Sequence, residues 1–258
     1  TSGQYTMLLV AALTFVSGLI FLRGLKGGTP EIKRNKPSVD ELVKVGIESV
    51  KNPRIALAFG TTLLARADVS VNGLFIGAWA VYSGDKIGLS AGESMSKVRW
   101  VIVIATLLSI IWAFVFGSMM DRINRVSAMV IAMSLGTVAY GLMYFVDSPL
   151  NYWNLPFFFL ISASAIGTVI ATSSLIGQEA PIRQRGTVIG VSAFFGAVGI
   201  LAAASIGGLL FDVIGPSGPF LLIAATHALM LVAAIAVRIK SPGQFFGTKQ
   251  TESEELSR

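Results

Sequence analysis

The chain of 258 residues is 53% hydrophobic and 13% charged, with a mean hydropathy of +0.73 and a formal net charge of +6. Soluble domains carry about 25% charged residues, so apolar runs of ~20 residues in so lightly charged a sequence mark an integral membrane protein. The absence of cysteine and the single histidine, His227, exclude disulfide frameworks, iron–sulfur clusters, thiolate zinc sites and His-rich metal centres.

The first apolar segment, 6–23, lacks the basic n-region and cleavage site of a signal peptide and reads as a span entered in mid-protein. Residues 25–53 form a basic loop containing SVDELVKVGIESVKNP. Ser38 with Glu41 fits a capping box, and Pro53 stops the helix that precedes it. Val39, Leu42, Val43, Ile47 and Val50 give that helix an apolar side suited to the membrane surface, with a solvated linker helix as the alternative. Further apolar runs follow at 55–83, 98–118, 126–146, 154–177, 187–211 and 218–237, and the polar tail 241–258 is expected to be disordered. These runs are continuous and far longer than a ~10-residue barrel strand. The expectation is an all-α membrane protein of about seven spans, with residues 1–24 as one helix and 54–240 as a six-helix bundle.

Placing the loops on alternate sides puts sixteen Lys and Arg residues on one side and only Lys86, Lys97 and Arg99 on the other. By the positive-inside rule the first side, with the C-terminus, is cytoplasmic. The positive charge therefore encodes topology, and no nucleic-acid partner is expected. An odd number of spans with a translocated start predicts a chain that continues a longer protein in the inner membrane of a bacterium. Trp79, Tyr82, Trp100, Trp112, Tyr144, Tyr152 and Trp153 fall mostly near span ends, as in an interfacial aromatic belt.

The second span contains TTLLARADVSVNG, residues 61–73. Arg66 lies eleven residues after Ile55, roughly 17 Å along the helix axis and near the bilayer midplane. A central Arg or Asp costs about 2.5–3.5 kcal/mol on insertion scales, so Arg66 and Asp68 need partners or water. At 100° per residue they point about 200° apart, which predicts either a break in the helix near Asp68 and Gly73 or two separate partners. Asn72 shares a face with Asp68. The expected roles are contact with polar solute or proton movement, Asp68 being the proton carrier because arginine stays charged. A structural pair bracing the helix is the alternative.

The fifth span carries Ser164, Thr168 and Thr172 at i, i+4, i+8, which can line a solute path or bond their own backbone. Glu179 at its end is placed to pair with Arg183 or Arg185. The sixth span holds Gly186, Gly190, Gly196, Gly199, Gly207 and Gly208, a pattern for close helix packing. His227 in the last span is either a proton relay or a brace.

Three loop motifs carry a resemblance. GSMMDRINR, 117–125, resembles the cytoplasmic loop motif of the major facilitator superfamily at Gly117, Asp121, Arg122 and Arg125, with Asn124 in place of its glycine and Val126 in place of its last basic residue. PIRQRGTVIG, 181–190, is similar to the family's pattern between its tenth and eleventh helices, and GGLLFD, 207–212, to the glycine pair closing the eleventh. The resemblance implies that 1–24 corresponds to helix six and 54–240 to helices seven to twelve. It further implies secondary transport of a small solute by alternating access, driven by a proton gradient without a bound cofactor, and an N-terminal half as partner. Gly117 would allow close helix approach. Asp121 would cap the next helix and, with Arg122, Arg125, Glu179, Arg183 and Arg185, form a cytoplasmic gate. An intramembrane enzyme is not expected, since HExxH, GxSxG and phosphate-loop patterns are absent. A facilitator-like sensor or scaffold is the rival reading.

Overall fold

The computed structural model describes residues 2–24, 44, 46, 48–181, 184–241 and 243, and the chain divides into two compact units, Thr1–Ser38 and Val39–Arg258. The first unit contains α1, Ser2–Gly24, whose apolar side chains are exposed all round, Phe15 and Leu22 among them. Such a helix suits lipid rather than water. The expected capping box at Ser38 and Glu41, and most of the tail, lie outside the described residues. Lys44, Gly46, Glu48 and Ser49 are helical, and Gly46 is buried so closely on Val191 that a Cβ would come within 2.5 Å of its Cγ2.

The second unit is a helical bundle: α2 Pro53–Asp85, α3 Ala91–Met120, α4 Arg125–Leu142, α5 Leu155–Glu179, α6 Arg185–Val213 and α7 Gly218–Lys240. A 3-10 turn at Met143–Phe145 extends α4, and another at Tyr152–Asn154 leads into α5. Local chemistry sets the boundaries. Asn52 caps α2, its side chain accepting from the Arg54 amide, and Pro53 takes the first helical position where no amide is needed. The third helix starts seven residues before the apolar run at 98. Ser90 and Glu93 form a capping box there, the Ser90 hydroxyl accepting from the Glu93 amide and the Glu93 carboxylate accepting from the Ser90 amide at 2.9 Å.

Among the described residues, six helices are long and apolar enough to cross a membrane by composition alone. The exception to the expected seven is α2, which is 33 residues long but diluted by Arg66, Asp68 and Asn72. Packing explains why such a helix is tolerated. α2 touches α3, α5, α6 and α7, so protein surrounds Asp68 and partly covers Asn72, while Arg66 stays exposed. The bundle is apolar outside as well as inside, with Phe114 on α3 and Leu229 and Val232 on α7 exposed, the distribution lipid demands.

The α2–α6 contact fixes which way each face of α2 points. Phe59 stacks on Phe195 at 5.3 Å, the Thr62 and Ser192 hydroxyls lie 2.8 Å apart, and Phe75 stacks on Phe211 at 5.9 Å. The two aromatic pairs lie 16 residues apart in the same sense on both helices, so α2 and α6 run parallel, as the second and sixth spans of an alternating chain must. Glycines let them meet. Gly199 has no room for a Cβ against the Leu63 carbonyl, and a Cβ at Gly207 would sit 2.9 Å from the Phe75 ring.

Of the residues expected in an aromatic belt, Tyr82, Trp100, Tyr144, Tyr152 and Trp153 are exposed. Two members leave it. Trp79 is 3% exposed and packs on Phe220 at 5.6 Å, and Trp112 is partly buried against Phe116, because both sit on helix faces turned into the bundle.

Candidate functional site

No break occurs at Asp68 or Gly73: α2 is one continuous helix from Pro53 to Asp85, with hydrogen-bonded turns throughout. Arg66 and Asp68 therefore part, as 100° per residue requires, and serve two different neighbourhoods.

Asp68 is wholly buried on the side of α2 facing α7. His227 of α7, also wholly buried, places Nε2 3.2 Å from both Asp68 carboxylate oxygens. The Tyr140 ring of α4 stacks on the imidazole at 5.4 Å and 20°, and the Tyr140 hydroxyl accepts from Asn72 Nδ2 at 3.0 Å. Gly136, one turn before Tyr140 on α4, has no room for a Cβ against the imidazole. The result is a polar core joining α2, α4 and α7, in which His227 Nδ1 and Asn72 Oδ1 have no hydrogen-bond partner. Asp68 and Asn72 thus share a face as expected, but that face turns into the bundle and does not line an open cavity. The sequence offered one signal for the partner: the chain's single histidine, placed within an apolar span.

Arg66 is exposed on the opposite side, where it lines a cavity of about 310 Å³ with Thr62 of α2, Thr172, Ser173 and Gly177 of α5, and Ser192 of α6. Its stem runs past Gly196, where a Cβ would lie 2.7 Å from Arg66 Cγ, so that glycine makes space for the arginine. Among the described residues Arg66 has no ion pair. Of the hydroxyl stripe, Thr168 is turned to its own helix, donating to the Ser164 carbonyl at 2.9 Å. Ser164 is buried with its Oγ unpartnered. Thr172 is 4% exposed, lines the cavity, and its Oγ1 is also unpartnered.

The basic end differs from the sequence expectation in three places. Glu179 pairs with Arg54 at 2.7 Å and accepts from Asn52 Nδ2 at 3.3 Å, while Arg185 Nη2 donates to the Gly177 carbonyl at 3.0 Å. Arg185 opens α6 and folds back on the free carbonyls ending α5, leaving the carboxylate to the first turn of α2. Arg54 also donates from Nε to the Ser241 carbonyl at 2.9 Å, tying together the ends of α2, α5 and α7. Arg183 lies outside the described residues. Second, Asn124 caps α4, its side chain accepting from the Val126 amide at 2.9 Å. Asp121 instead ends α3, its side chain 3.4 Å from Arg125 Nη2, while Arg125 Nη1 donates to the Met120 carbonyl at 3.0 Å. Asparagine in place of the motif's glycine supplies the capping oxygen one helical turn closer to α4. Third, a Cβ on Gly117 would meet no atom within 4 Å, so the close approach expected there is not made within this chain. Arg122 is exposed.

A family model described as Major Facilitator Superfamily matches residues 1–204 and 59–255. The magnetosome protein MamH of Paramagnetospirillum magneticum is 27% identical over 237 residues, 91% of this chain and 53% of that protein. The magnetosome protein MamZ of the same organism is 22% identical over 233 residues, 90% of this chain and 36% of that one. The putative niacin/nicotinamide transporter NiaP of Bacillus subtilis is 30% identical over 140 residues, 54% of this chain and 34% of its own length. The chain spans about half the length of MamH and about a third of the other two. Two overlapping matches together run nearly end to end, and on that coverage the chain belongs to the major facilitator superfamily.

Proposed function

We propose that the protein carrying this chain moves a small solute across a bacterial membrane by alternating access, with residues 54–240 as one of two rocking bundles and a second bundle as its partner. The observation that carries this reading is the cavity at Arg66. It places a cation and several hydroxyls roughly 17 Å along α2 from Ile55, near mid-membrane, where a charge without function is expensive. Kinship with a protein named as a transporter, and with magnetosome proteins of bacteria, supports the same class and a bacterial setting. The C-terminus is proposed to face the cytoplasm on the distribution of Lys and Arg.

Coupling to protons, by symport or antiport, is proposed at Asp68 and His227, two ionisable side chains in contact at one buried site. A second reading has a specific observation behind it: the pair lies on the side of α2 away from the Arg66 cavity, where it braces α2 against α4 and α7. In a brace, substitution changes stability and leaves the ion coupling of folded protein intact.

At the basic end, Asp121, Arg122, Arg125, Glu179, Arg185 and Arg54 are proposed to gate the cytoplasmic opening together with the partner bundle. In a Ser173→Cys background, which places a thiol in the cavity of a bundle that has no cysteine of its own, Asp121→Asn should then raise labelling by a thiol-reactive probe added from the cytoplasmic side, and unchanged labelling would remove Asp121 from the gate.

The decisive experiment uses the protein expressed from its own gene and reconstituted in proteoliposomes, with a panel of sugars, organic acids and cationic drugs under an imposed pH gradient. Solute-dependent proton flux in wild type, lost in folded Asp68→Asn and His227→Gln, supports coupling at the pair. Flux retained in both variants assigns the pair to bracing. No flux with any solute favours a sensor or scaffold.

A further inference from the structure

The Arg66 cavity has a charge imbalance that names the chemistry of its occupant. Among the described residues lining it there is no Asp or Glu, and Arg66 makes no ion pair with any described carboxylate. A lone guanidinium near mid-membrane is held at a cost of about 2.5–3.5 kcal/mol unless something offsets it. The bundle does not turn Arg66 away from this position. The α6 helix lacks a side chain at Gly196, where the arginine stem passes, so the site is shaped to keep the guanidinium where it is.

A second, independent observation points the same way. Thr172 is 4% exposed and lines the same cavity, yet its hydroxyl has no partner among the described residues. Threonine in a helix ordinarily satisfies its hydroxyl on the carbonyl one turn back, as Thr168 does on Ser164 in the same helix. The Thr172 hydroxyl therefore keeps a donor to give, and the guanidinium of the same cavity, which has only donors, cannot take it. Thr62 and Ser192, bonded to each other at 2.8 Å, complete a polar wall between α2 and α6.

We infer that this cavity binds the oxyanion of a small solute, a carboxylate or a phosphate, with the Arg66 guanidinium forked onto two of its oxygens and the Thr172 hydroxyl donating to one of them. This rests on the transport reading only for the translocation of the bound solute. Anion binding itself is a property of α2, α5 and α6, and is measured without transport.

The test uses the protein expressed from its own gene, purified in detergent, with thermal stabilisation read for benzoate, its neutral isostere benzamide, inorganic phosphate, glucose and tetraethylammonium. Stabilisation by benzoate or phosphate and by none of the other three is expected, and which of the two acts tells carboxylate from phosphate recognition. Arg66→Gln should weaken that binding about tenfold or more, and Arg66→Lys and Thr172→Val severalfold, since lysine keeps the charge but loses the fork. If Arg66→Gln does not fold, the lysine and valine variants carry the test. The inference is overturned if neither anion stabilises the protein, if benzamide acts as strongly as benzoate, or if the anion effect is unchanged in the Arg66 and Thr172 variants. Proteoliposome uptake separates the two readings. Binding of an anion without uptake of any solute defeats transport and leaves the anion site standing, whereas uptake of a solute with no stabilisation by either anion keeps transport and overturns the anion site.

Discussion

The imidazole of His227 meets the carboxylate of Asp68 symmetrically, with Nε2 3.2 Å from each oxygen and both side chains fully buried. One residue comes from α2 and the other from α7, 159 positions later. Neither helix could keep its polar residue in a membrane interior without the other.

Removing one partner should therefore hurt more than removing both. Asp68→Ala and His227→Ala are each expected to destabilise the protein by about 3–5 kcal/mol, the cost of stranding half of a buried pair. That is well above the ~0.6 kcal/mol average of interhelical hydrogen bonds in membranes. The double variant Asp68→Leu/His227→Phe, which keeps volume and the stack on Tyr140, should recover most of the loss. Unfolding in mixed micelles measures all three, and single-variant losses below about 1 kcal/mol would show that the pair does not brace the bundle.

The glycines of α6 differ in what they face, and substitution should expose the difference. Gly199→Ala puts a methyl group into the Leu63 backbone carbonyl, which cannot swing aside, so a loss toward the upper end of the ~1–3 kcal/mol for overpacking is expected. Gly208→Ala meets nothing within 4 Å and should be neutral or slightly stabilising. Equal melting behaviour of the two variants would contradict the packing of α2 on α6.

Two ion pairs at the basic end should separate in a double-mutant cycle. Arg54 and Glu179 are 24% and 11% exposed at 2.7 Å, whereas the carboxylate of Asp121 is 74% exposed at 3.4 Å from Arg125. A coupling above about 1 kcal/mol is expected for the first pair and about 0.5 kcal/mol or less for the second, since water screens the exposed carboxylate. Reversal of that order would remove Arg54 as the tie between α2, α5 and α7.

At the opposite end, the Asn154 amide donates to Asp147 Oδ1 at 2.6 Å and holds that carboxyl below its usual range. Because the folded value is the lower one, the unfolded chain binds the proton first as pH falls. The stabilisation is present in full above the ordinary aspartate range and is lost as pH drops through the lowered folded value. The melting-temperature difference between wild type and Asn154→Ala should shrink on acidification, down to the remainder contributed by the Asn154 bond to the Ser148 carbonyl at 2.9 Å. The change is small because Asp147 is open to water, and a difference constant with pH would remove the bond as its cause.

Amino-acid order alone marked the long apolar helices of this protein. Apolar runs of membrane length and the crowding of Lys and Arg into alternate loops are local properties, readable without knowing what any side chain touches, whereas the caps at Asn52 and Ser90 emerged only from the structure. The midplane charges were equally legible as anomalies, and helical rotation alone required Arg66 and Asp68 to part. Their neighbours were decided only in three dimensions. Asp68 found His227, and Glu179 found Arg54 and not its sequence neighbour Arg185, because partners 125 to 159 residues apart meet only once parallel and antiparallel helices have packed. The face of α2 that lines a cavity was decided by α6: its glycines admit α2 at Leu63 and Phe75 and leave space for the Arg66 stem, so Arg66 faces the cavity while Asp68, two residues on, is sealed against α7.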